Sequence, residues 1–189
     1  MARAATRNKV FTAVLQIARE HRLGSISMEG VAAHAGVSKQ TLYRSWSSTG
    51  AILFEALLTR STNEEGAVEV PNTGNLSHDL QTLATAMVAE LTDPSHESLL
   101  RAVTAEIQLD ESLASLYRER LLTPQLDAIA ERFRDHGIAD TDDIAELFLG
   151  AILHRWLLRT RPFDAPWISS HVARTLRAAQ HEAPSARQP

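Results

Sequence analysis

Residues 27–46 have the sequence SMEGVAAHAGVSKQTLYRSW, and this stretch decides the fold of the N-terminal part of the chain. Ser27 and Ser38 each precede a short run of residues with helical spacing of apolar side chains. Serine is favoured at such positions because its hydroxyl accepts a hydrogen bond from a free backbone N–H at the helix start. Gly36 lies between the runs, where glycine favours the left-handed conformation that ends many helices. The pattern predicts two short helices joined by a tight turn, as in a helix-turn-helix.

The second predicted helix has the polar surface that a helix in a DNA major groove requires. The groove is about 12 Å wide and admits one helix, so its outward side chains must be small or polar. Val37, Leu42 and Trp46 are placed to face the other helices. The outward residues, which we predict to bind DNA, are Lys39, Gln40, Thr41, Arg44 and Ser45, together with the helix-capping residues Ser27 and Ser38. An ordinary corner between two helices, with a solvated outer face, is the alternative that this pattern leaves open.

The charge of the chain is unevenly distributed along its 189 residues. The total of 19 basic and 23 acidic side chains gives a net charge of −4, which by itself argues against a nucleic-acid partner. Residues 1–60, however, contain eight basic and three acidic side chains, a net charge of +5, and the remainder carries −9. A basic segment of this kind is typical of a module that binds a polyanion, so the distribution supports DNA binding by the N-terminal part.

Helical periodicity continues through almost the whole chain, and no stretch alternates like a half-buried strand, so we predict an all-α protein with about nine helices. We assign residues 1–50 to a three-helix helix-turn-helix domain, with a fourth helix at about 50–61 as the connection. Residues 62–181 are predicted to form a larger C-terminal helical bundle, and residues 182–189 a flexible tail. Pro124 lies within the predicted helix 111–136 and is expected to kink it.

Several classes of protein are disfavoured by the composition. The longest apolar run, residues 147–153, is far shorter than the roughly 20 residues that span a bilayer, so we expect no membrane contact. No secretion signal is present at the start, and the absence of cysteine fits a reducing compartment. We therefore expect a cytoplasmic protein.

The stretch also resembles the DNA-binding end of TetR-family (tetracycline-repressor-like) transcriptional regulators. The likeness is strong over roughly residues 7–60 and weaker beyond them; the residues that carry it are Ser27-Met28-Glu29, Val31-Ala32, Ala35-Gly36-Val37-Ser38, Thr41-Leu42-Tyr43-Arg44 and Trp46. The resemblance implies that Tyr43 contacts a DNA phosphate. It adds Thr49 to the predicted DNA-binding residues, although Thr49 stands where the family usually has a phosphate-binding lysine.

The function that this resemblance implies is that of a ligand-responsive transcriptional regulator rather than an enzyme. We expect a repressor that binds a pseudo-palindromic double-stranded DNA operator as a homodimer and is released by a small-molecule effector. No cofactor and no metal are expected. The acidic C-terminal part weakly disfavours an anionic effector.

The effector and dimer sites are predicted within the C-terminal part. The effector candidates are the aromatic residues and one histidine at helical spacing, although such residues more often form a core: Tyr117, Phe133, Phe148, His154 and Trp156. The segment 144–158 is apolar nearly all round, so it is either a central helix or part of a subunit interface. In the family the last two helices pair with those of a second subunit, so the dimer candidates are Ile144, Phe148, Ala151, Ile152, Arg155, Trp167, Val172 and Leu176.

Two alternatives of other classes remain on the sequence alone. His78-Asp79 is a literal HD pair, and with His34 and Asp127 it suggests a metal-dependent phosphohydrolase. Asp79 at the start of a helix, where a carboxylate interacts favourably with the helix dipole, is the simpler interpretation. A helical interaction module without any DNA-binding role is the other alternative.

Overall fold

The computed structural model describes residues 4–20, 26–61, 69–94 and 96–181, and these contain ten α-helices and one π-helical segment. No β-strand occurs in these ranges, so the predicted all-α class is confirmed. The helices are α1 (Ala4–Glu20), α2 (Met28–Ala35), α3 (Lys39–Ser45), α4 (Thr49–Ser61), α5 (Leu76–Thr92), α6 (Glu97–Glu106), α7 (Glu111–Tyr117), α8 (Thr123–Arg134), α9 (Thr141–Leu157) and α10 (Ala165–His181).

The predicted helix 111–136 consists of α7, the π-helical segment Arg118–Leu122 and α8 in direct succession. Pro124 lies in the first turn of α8. Because proline has no backbone N–H and its ring crowds the carbonyl four residues earlier, the α-helical hydrogen bonding must change just before it. The irregularity expected at Pro124 is therefore a widened turn at 118–122. With 111–134 counted as one helical run, the described residues contain the nine predicted helical segments.

The chain divides into two compact units, and the first consists of residues 1–66 and 94–121. Within it α1 packs against α2, α4 and α6, and α4 packs against α6 and α7. Val10 and Val14 of α1 and Phe54 of α4 are fully buried in its core. Helix α6 contributes Leu99, Ala102 and Val103, all buried. Residues 94–121, which the sequence analysis assigned to the C-terminal domain, thus group with the N-terminal helices.

The second unit consists of residues 67–93 and 122–189. Helix α9 lies at its centre, since it packs against α5, α8 and α10. Ile144, Phe148 and Ile152 on α9 are almost completely buried, as expected for a helix that is apolar on most of its sides. Helix α10 is amphipathic and buries Ile168 and Val172.

Some expectations concern residues outside the described ranges. They are the predicted tail at residues 182–189 and the start of the predicted C-terminal bundle at residues 62–68. Among the described residues, no helix is long and apolar enough to cross a membrane.

Candidate DNA-binding site

The turn between α2 and α3 has the geometry that the sequence predicts. Gly36 ends α2 with φ 65° and ψ 36°, the left-handed conformation. Its N–H donates to the carbonyl of Ala33 at 3.3 Å, and the N–H of Val37 donates to the carbonyl of Ala32 at 3.0 Å. This pair of bonds satisfies two of the last four carbonyls of α2 and ends the helix in a tight turn.

Helix α3 begins at a side-chain cap and turns a polar surface outward. The Ser38 hydroxyl accepts a hydrogen bond from the Thr41 N–H at 3.1 Å and lies 2.8 Å from the Thr41 hydroxyl. Leu42 is fully buried. The exposed residues of the helix are Lys39, Gln40, Tyr43 and Arg44, while Thr41 and Ser45 are half-buried. A helix with one buried apolar contact and an outward polar row fits a major groove.

Trp46 holds the end of α3 against the rest of the first unit. Its indole N–H donates to the Glu55 carboxylate, which also pairs with Arg7 of α1. The indole ring meets Phe11 edge-on, with ring centroids 6.2 Å apart. Helical spacing predicts that Trp46 faces inward, but it gives no sign of the role of Glu55, because Arg7, Trp46 and Glu55 are far apart in the sequence. Glu55 therefore connects α1, α4 and the end of α3.

Ser27 and Thr49 lie at the starts of the flanking helices. The Ser27 hydroxyl caps α2 by accepting from the Gly30 N–H at 3.1 Å. Thr49 is the first residue of α4 and is half-buried, and the preceding Ser48 accepts from the Ala51 N–H at 3.1 Å. Both predicted residues thus lie beside helix N-termini, whose N–H groups and dipole favour an anion such as a DNA phosphate.

Glu29 is a charged residue that the sequence analysis did not assign to this surface. One oxygen of its carboxylate accepts from the Tyr43 hydroxyl at 3.3 Å and lies 3.5 Å from the Lys39 ammonium. A hydrogen bond that the Glu29 carboxylate accepts from its own backbone N–H, and then the charge of Lys39, hold the pKa of the carboxyl below its ordinary value. The carboxylate is therefore negative at neutral pH and lies against two of the predicted DNA-binding residues.

Comparison with known proteins adds to this geometry. Residues 13–56 match the family model described as bacterial regulatory proteins of the tetR family. Residues 70–175 match the model described as the tetracyclin repressor-like C-terminal domain. The chain belongs to the TetR family of transcriptional regulators. As a member of this family it is a DNA-binding helix-turn-helix protein and not an enzyme, which confirms both predictions.

Individual relatives support the same assignment. The HTH-type transcriptional regulator AqdR of Rhodococcus erythropolis is 31% identical over 176 residues, which cover 90% of this chain and 82% of the relative. The DNA-binding transcriptional repressor TetR of Mycobacteroides abscessus is 32% identical over 161 residues, covering 79% and 83% respectively. The crystal structure of the TetR-family transcription regulator SCO0332 superposes with a TM-score of 0.70 at 27% identity, covering 91% of this chain and 97% of that one.

The second unit of this TetR-family protein contains a cavity of about 300 Å³ between α9 and α10. Its lining includes no acidic side chain and consists of Leu147, Ala151, His154, Arg155, Thr160, Trp167, His171, Arg174 and Thr175. The guanidinium of Arg155 lies 4.6 Å from the centroid of the Trp167 ring. His171 stacks on Trp167 at 5.1 Å, and its Nε2 lies 2.9 Å from the Phe148 carbonyl. The cavity is thus basic and aromatic within an acidic half of the chain.

The five predicted effector residues do not lie together. His154 lines the cavity. Phe133, Phe148 and Trp156 are buried in the core of the second unit, so their aromatic character serves packing. Tyr117 belongs to the first unit, where its ring lies 6.0 Å from that of Phe54. Of the five predicted residues, His154 is therefore the one that lies in the lining of this cavity.

The eight predicted dimer residues divide equally. Four of them are partly exposed to solvent, and four are buried in the core of the second unit. Ala151, Arg155, Trp167 and Leu176 are half-exposed. The four that are buried within their own unit, and so cannot provide an outer contact surface, are Ile144, Phe148, Ile152 and Val172.

The HD pair has a structural role. Asp79 is buried and accepts hydrogen bonds from the Thr73 hydroxyl at 2.7 Å and from the Thr73 N–H at 3.1 and 3.0 Å. The Thr73 hydroxyl bond is the main reason that the pKa of Asp79 is lowered. His78 is exposed, and among the described residues no three His, Asp or Glu side chains are grouped to hold a metal. Asp79 therefore fixes the chain that enters α5.

Proposed function

We propose that this regulator is a repressor that binds a pseudo-palindromic operator as a homodimer and is released by a small-molecule effector. The observation that carries DNA recognition is the outward row of Lys39, Gln40, Tyr43 and Arg44 on a helix capped by Ser38. The repressor role is supported by the Mycobacteroides abscessus relative, whose name describes it as a repressor. Two such helices in successive major grooves would lie about 34–36 Å apart. The place of action would be the cytoplasm, where the DNA is.

The DNA-binding surface is tested with Arg44→Ala. Operator sequences are first selected from random DNA with the wild-type protein, and affinities for the operator and for random-sequence duplex are then compared. A base contact by Arg44 costs operator affinity selectively, whereas a phosphate contact weakens both duplexes about equally. Arg134→Ala, an exposed arginine on α8, provides the same charge change in the second unit. If Arg44→Ala changes neither affinity, the assignment of α3 fails.

The proposed subunit contact is the outer side of α9 and α10. Leu147 on α9 is 48% exposed, and Leu157 and Leu158 near its end are 48% and 60% exposed. Ala151 and Trp167 add half-exposed apolar surface beside Leu147 in the cavity lining. Apolar groups on one side of two neighbouring helices are suited to a two-fold contact, in which the same surface of each subunit takes part.

The dimer is tested by light scattering at micromolar protein concentration. Wild type should have about twice the 20.8 kDa mass of one chain. Leu147→Glu should shift the population toward single chains, because a carboxylate would be buried in the contact. Leu109→Glu is the matched control, since Leu109 is 86% exposed and lies in the first unit. A wild-type mass of one chain contradicts the proposal.

The cavity between α9 and α10 is the effector site that the geometry favours. Basic side chains without an acidic residue in the lining favour a ligand with an anionic group. In addition, Arg155 Nε is buried and has no hydrogen-bond partner among the described residues. Trp167 and His171 offer flat faces for an aromatic or apolar part of the ligand. The weak expectation against an anionic effector rested on the overall charge, which this local lining outweighs.

A thermal-shift screen of matched anionic and neutral aromatic compounds tests this site. A ligand that binds the folded state raises the melting temperature. We expect stabilising compounds to be mainly anions and to lose their effect in Arg174→Gln, an exposed position whose change leaves the core intact. Stabilisation by neutral compounds alone, or shifts unchanged in Arg174→Gln, would place the effector elsewhere.

The cavity and the proposed subunit contact share Leu147, Ala151 and Trp167. A bound effector would therefore contact residues of the subunit interface. Effector binding could change the arrangement of the two subunits in this way, and so weaken DNA binding. A coupling of roughly 1–3 kcal/mol would weaken operator binding about 5–150-fold. Operator affinity measured with and without a stabilising compound from the screen tests the coupling directly.

A further inference from the structure

Glu29 places a negative charge within the predicted DNA-binding surface. It lies in the first turn of α2, and its carboxylate oxygen is 3.3 Å from the Tyr43 hydroxyl and 3.5 Å from the Lys39 Nζ on α3. The side chains of Glu29 and Lys39 are 50% and 64% exposed, and Tyr43 is 52% exposed. The contact is therefore open to solvent and to any ligand that approaches α3.

We propose that Glu29 is an intramolecular competitor of the DNA phosphates, which holds Tyr43 and Lys39 in the free protein and must be displaced when DNA binds. The inference rests on the DNA-contacting role proposed above for Tyr43 and Lys39. It adds a residue that lowers affinity to a surface otherwise described by residues that raise it.

The competition follows from the number of donors. A tyrosine hydroxyl has one O–H to donate, so Tyr43 cannot give the same hydrogen to Glu29 and to a phosphate oxygen. A lysine ammonium has three donors, so Lys39 can keep Glu29 while binding a phosphate, but then holds two anions close together. Glu29 is ionised at neutral pH, because its own backbone N–H and Lys39 favour the charged form. Binding DNA therefore breaks one hydrogen bond and brings a carboxylate close to phosphates.

The other acidic side chains among the described residues 4–20 and 26–61 are engaged elsewhere. Glu20 accepts from Gln16 on α1 at 2.9 Å, and Glu55 binds Trp46 and Arg7. Glu29 is the one that contacts the exposed residues of α3. Its effect on DNA affinity should therefore be local and larger than that of a remote acidic residue.

The test compares Glu29→Gln with wild type in binding a random-sequence DNA duplex and the selected operator, each over a range of salt concentrations. Glutamine keeps the size of the side chain and removes the charge. We expect roughly two- to tenfold tighter binding, the range for loss of an exposed ion pair together with removal of a nearby like charge. The slope of log K against log[salt] should become steeper by up to about 0.9, because Lys39 no longer has an internal counterion. Glu20→Gln, with the same charge change on α1, should alter affinity less.

A double-mutant cycle with Tyr43→Phe separates competition from general charge. Tyr43→Phe alone should weaken binding, and the gain from Glu29→Gln should shrink in its background, since there is no hydroxyl left to release. Circular dichroism and urea unfolding establish that each variant is folded.

Four results would overturn the proposal. Unchanged or weaker binding of both operator and random duplex by Glu29→Gln would make Glu29 a positioning residue for α3. Loss of operator binding alone would mean that its carboxylate contacts a base, such as the cytosine amino group. If Glu20→Gln tightened DNA binding as much as Glu29→Gln, the effect would be one of net charge alone. If Glu29→Gln tightened binding equally in the Tyr43→Phe background, the Tyr43 hydroxyl would have no part in the competition. Failure of wild type to bind any duplex would instead contradict the DNA-binding surface itself.

Discussion

Removal of the α3 cap is the change whose consequence the structure defines most directly. In Ser38→Ala the helix loses the acceptor for the Thr41 N–H, 3.1 Å away, and the contact with the Thr41 hydroxyl at 2.8 Å. Loss of a serine cap costs about 0.5–2 kcal/mol. Because Ser38 is exposed, water can solvate the freed N–H, so we expect about 1 kcal/mol, a roughly fivefold change in the folding equilibrium.

Urea unfolding at one fixed protein concentration measures this difference, since association would otherwise change the apparent stability. Ser45→Ala is the matched control, because it makes the same replacement in the same helix away from the cap. Ser38→Asp should recover the stability, since aspartate also caps helices, but should weaken DNA binding by adding a negative charge beside α3. If Ser38→Ala and Ser45→Ala unfold at the same urea concentration, the cap does not stabilise α3 and the reasoning fails.

Three further predictions concern both units. Thr49→Lys should strengthen binding to random-sequence DNA and steepen the salt slope by about 0.9, because it restores one phosphate contact; an unchanged slope would place Thr49 away from the backbone. Phe148→Ala should lower the free energy of unfolding in urea by about 3–5 kcal/mol, since the ring is fully buried. The control is Leu109→Ala, at a position that is 86% exposed and lies outside the proposed subunit contact. Burial lowers the pKa of His171, despite the opposing hydrogen bond to the Phe148 carbonyl. The unfolded chain therefore binds more protons than the folded one, and the stability of the protein should fall as the pH drops below about 6.5. Thermal melts over this pH range should show a smaller fall for His171→Gln than for the control His154→Gln.

Sequence reasoning succeeded where the determining interactions are local. The caps Ser27 and Ser38 and the glycine at φ 65° act within five residues of the chain, so their meaning is present in the sequence itself. Helical spacing likewise predicts that Leu42 and Trp46 face inward, and both are buried. This prediction does not require knowing which helix covers the apolar face, only that some other part of the chain does.

Sequence reasoning was less successful wherever the partner of a residue had to be known. Aromatic residues at helical spacing have the same pattern in a core as in a pocket, so the sequence alone does not show that Phe133 and Phe148 are fully buried. Residues 94–121 contain amphipathic helices, but the pattern does not say which neighbours they pack against. Their grouping with α1 and α4 is a property of the packed structure.

By itself the sequence determined an all-α chain with a basic helix-turn-helix at its N-terminal end, because caps, turns and periodicity depend on neighbours along the chain. The tertiary structure decided which charges meet. Glu29 reaches Tyr43 across fourteen residues, and Glu55 joins Trp46 to Arg7. It also brought Arg155 of α9 onto Trp167 of α10 beside a cavity without acidic side chains. Coulombic and hydrogen-bond partners depend on distance in space, and only the folded chain defines that distance.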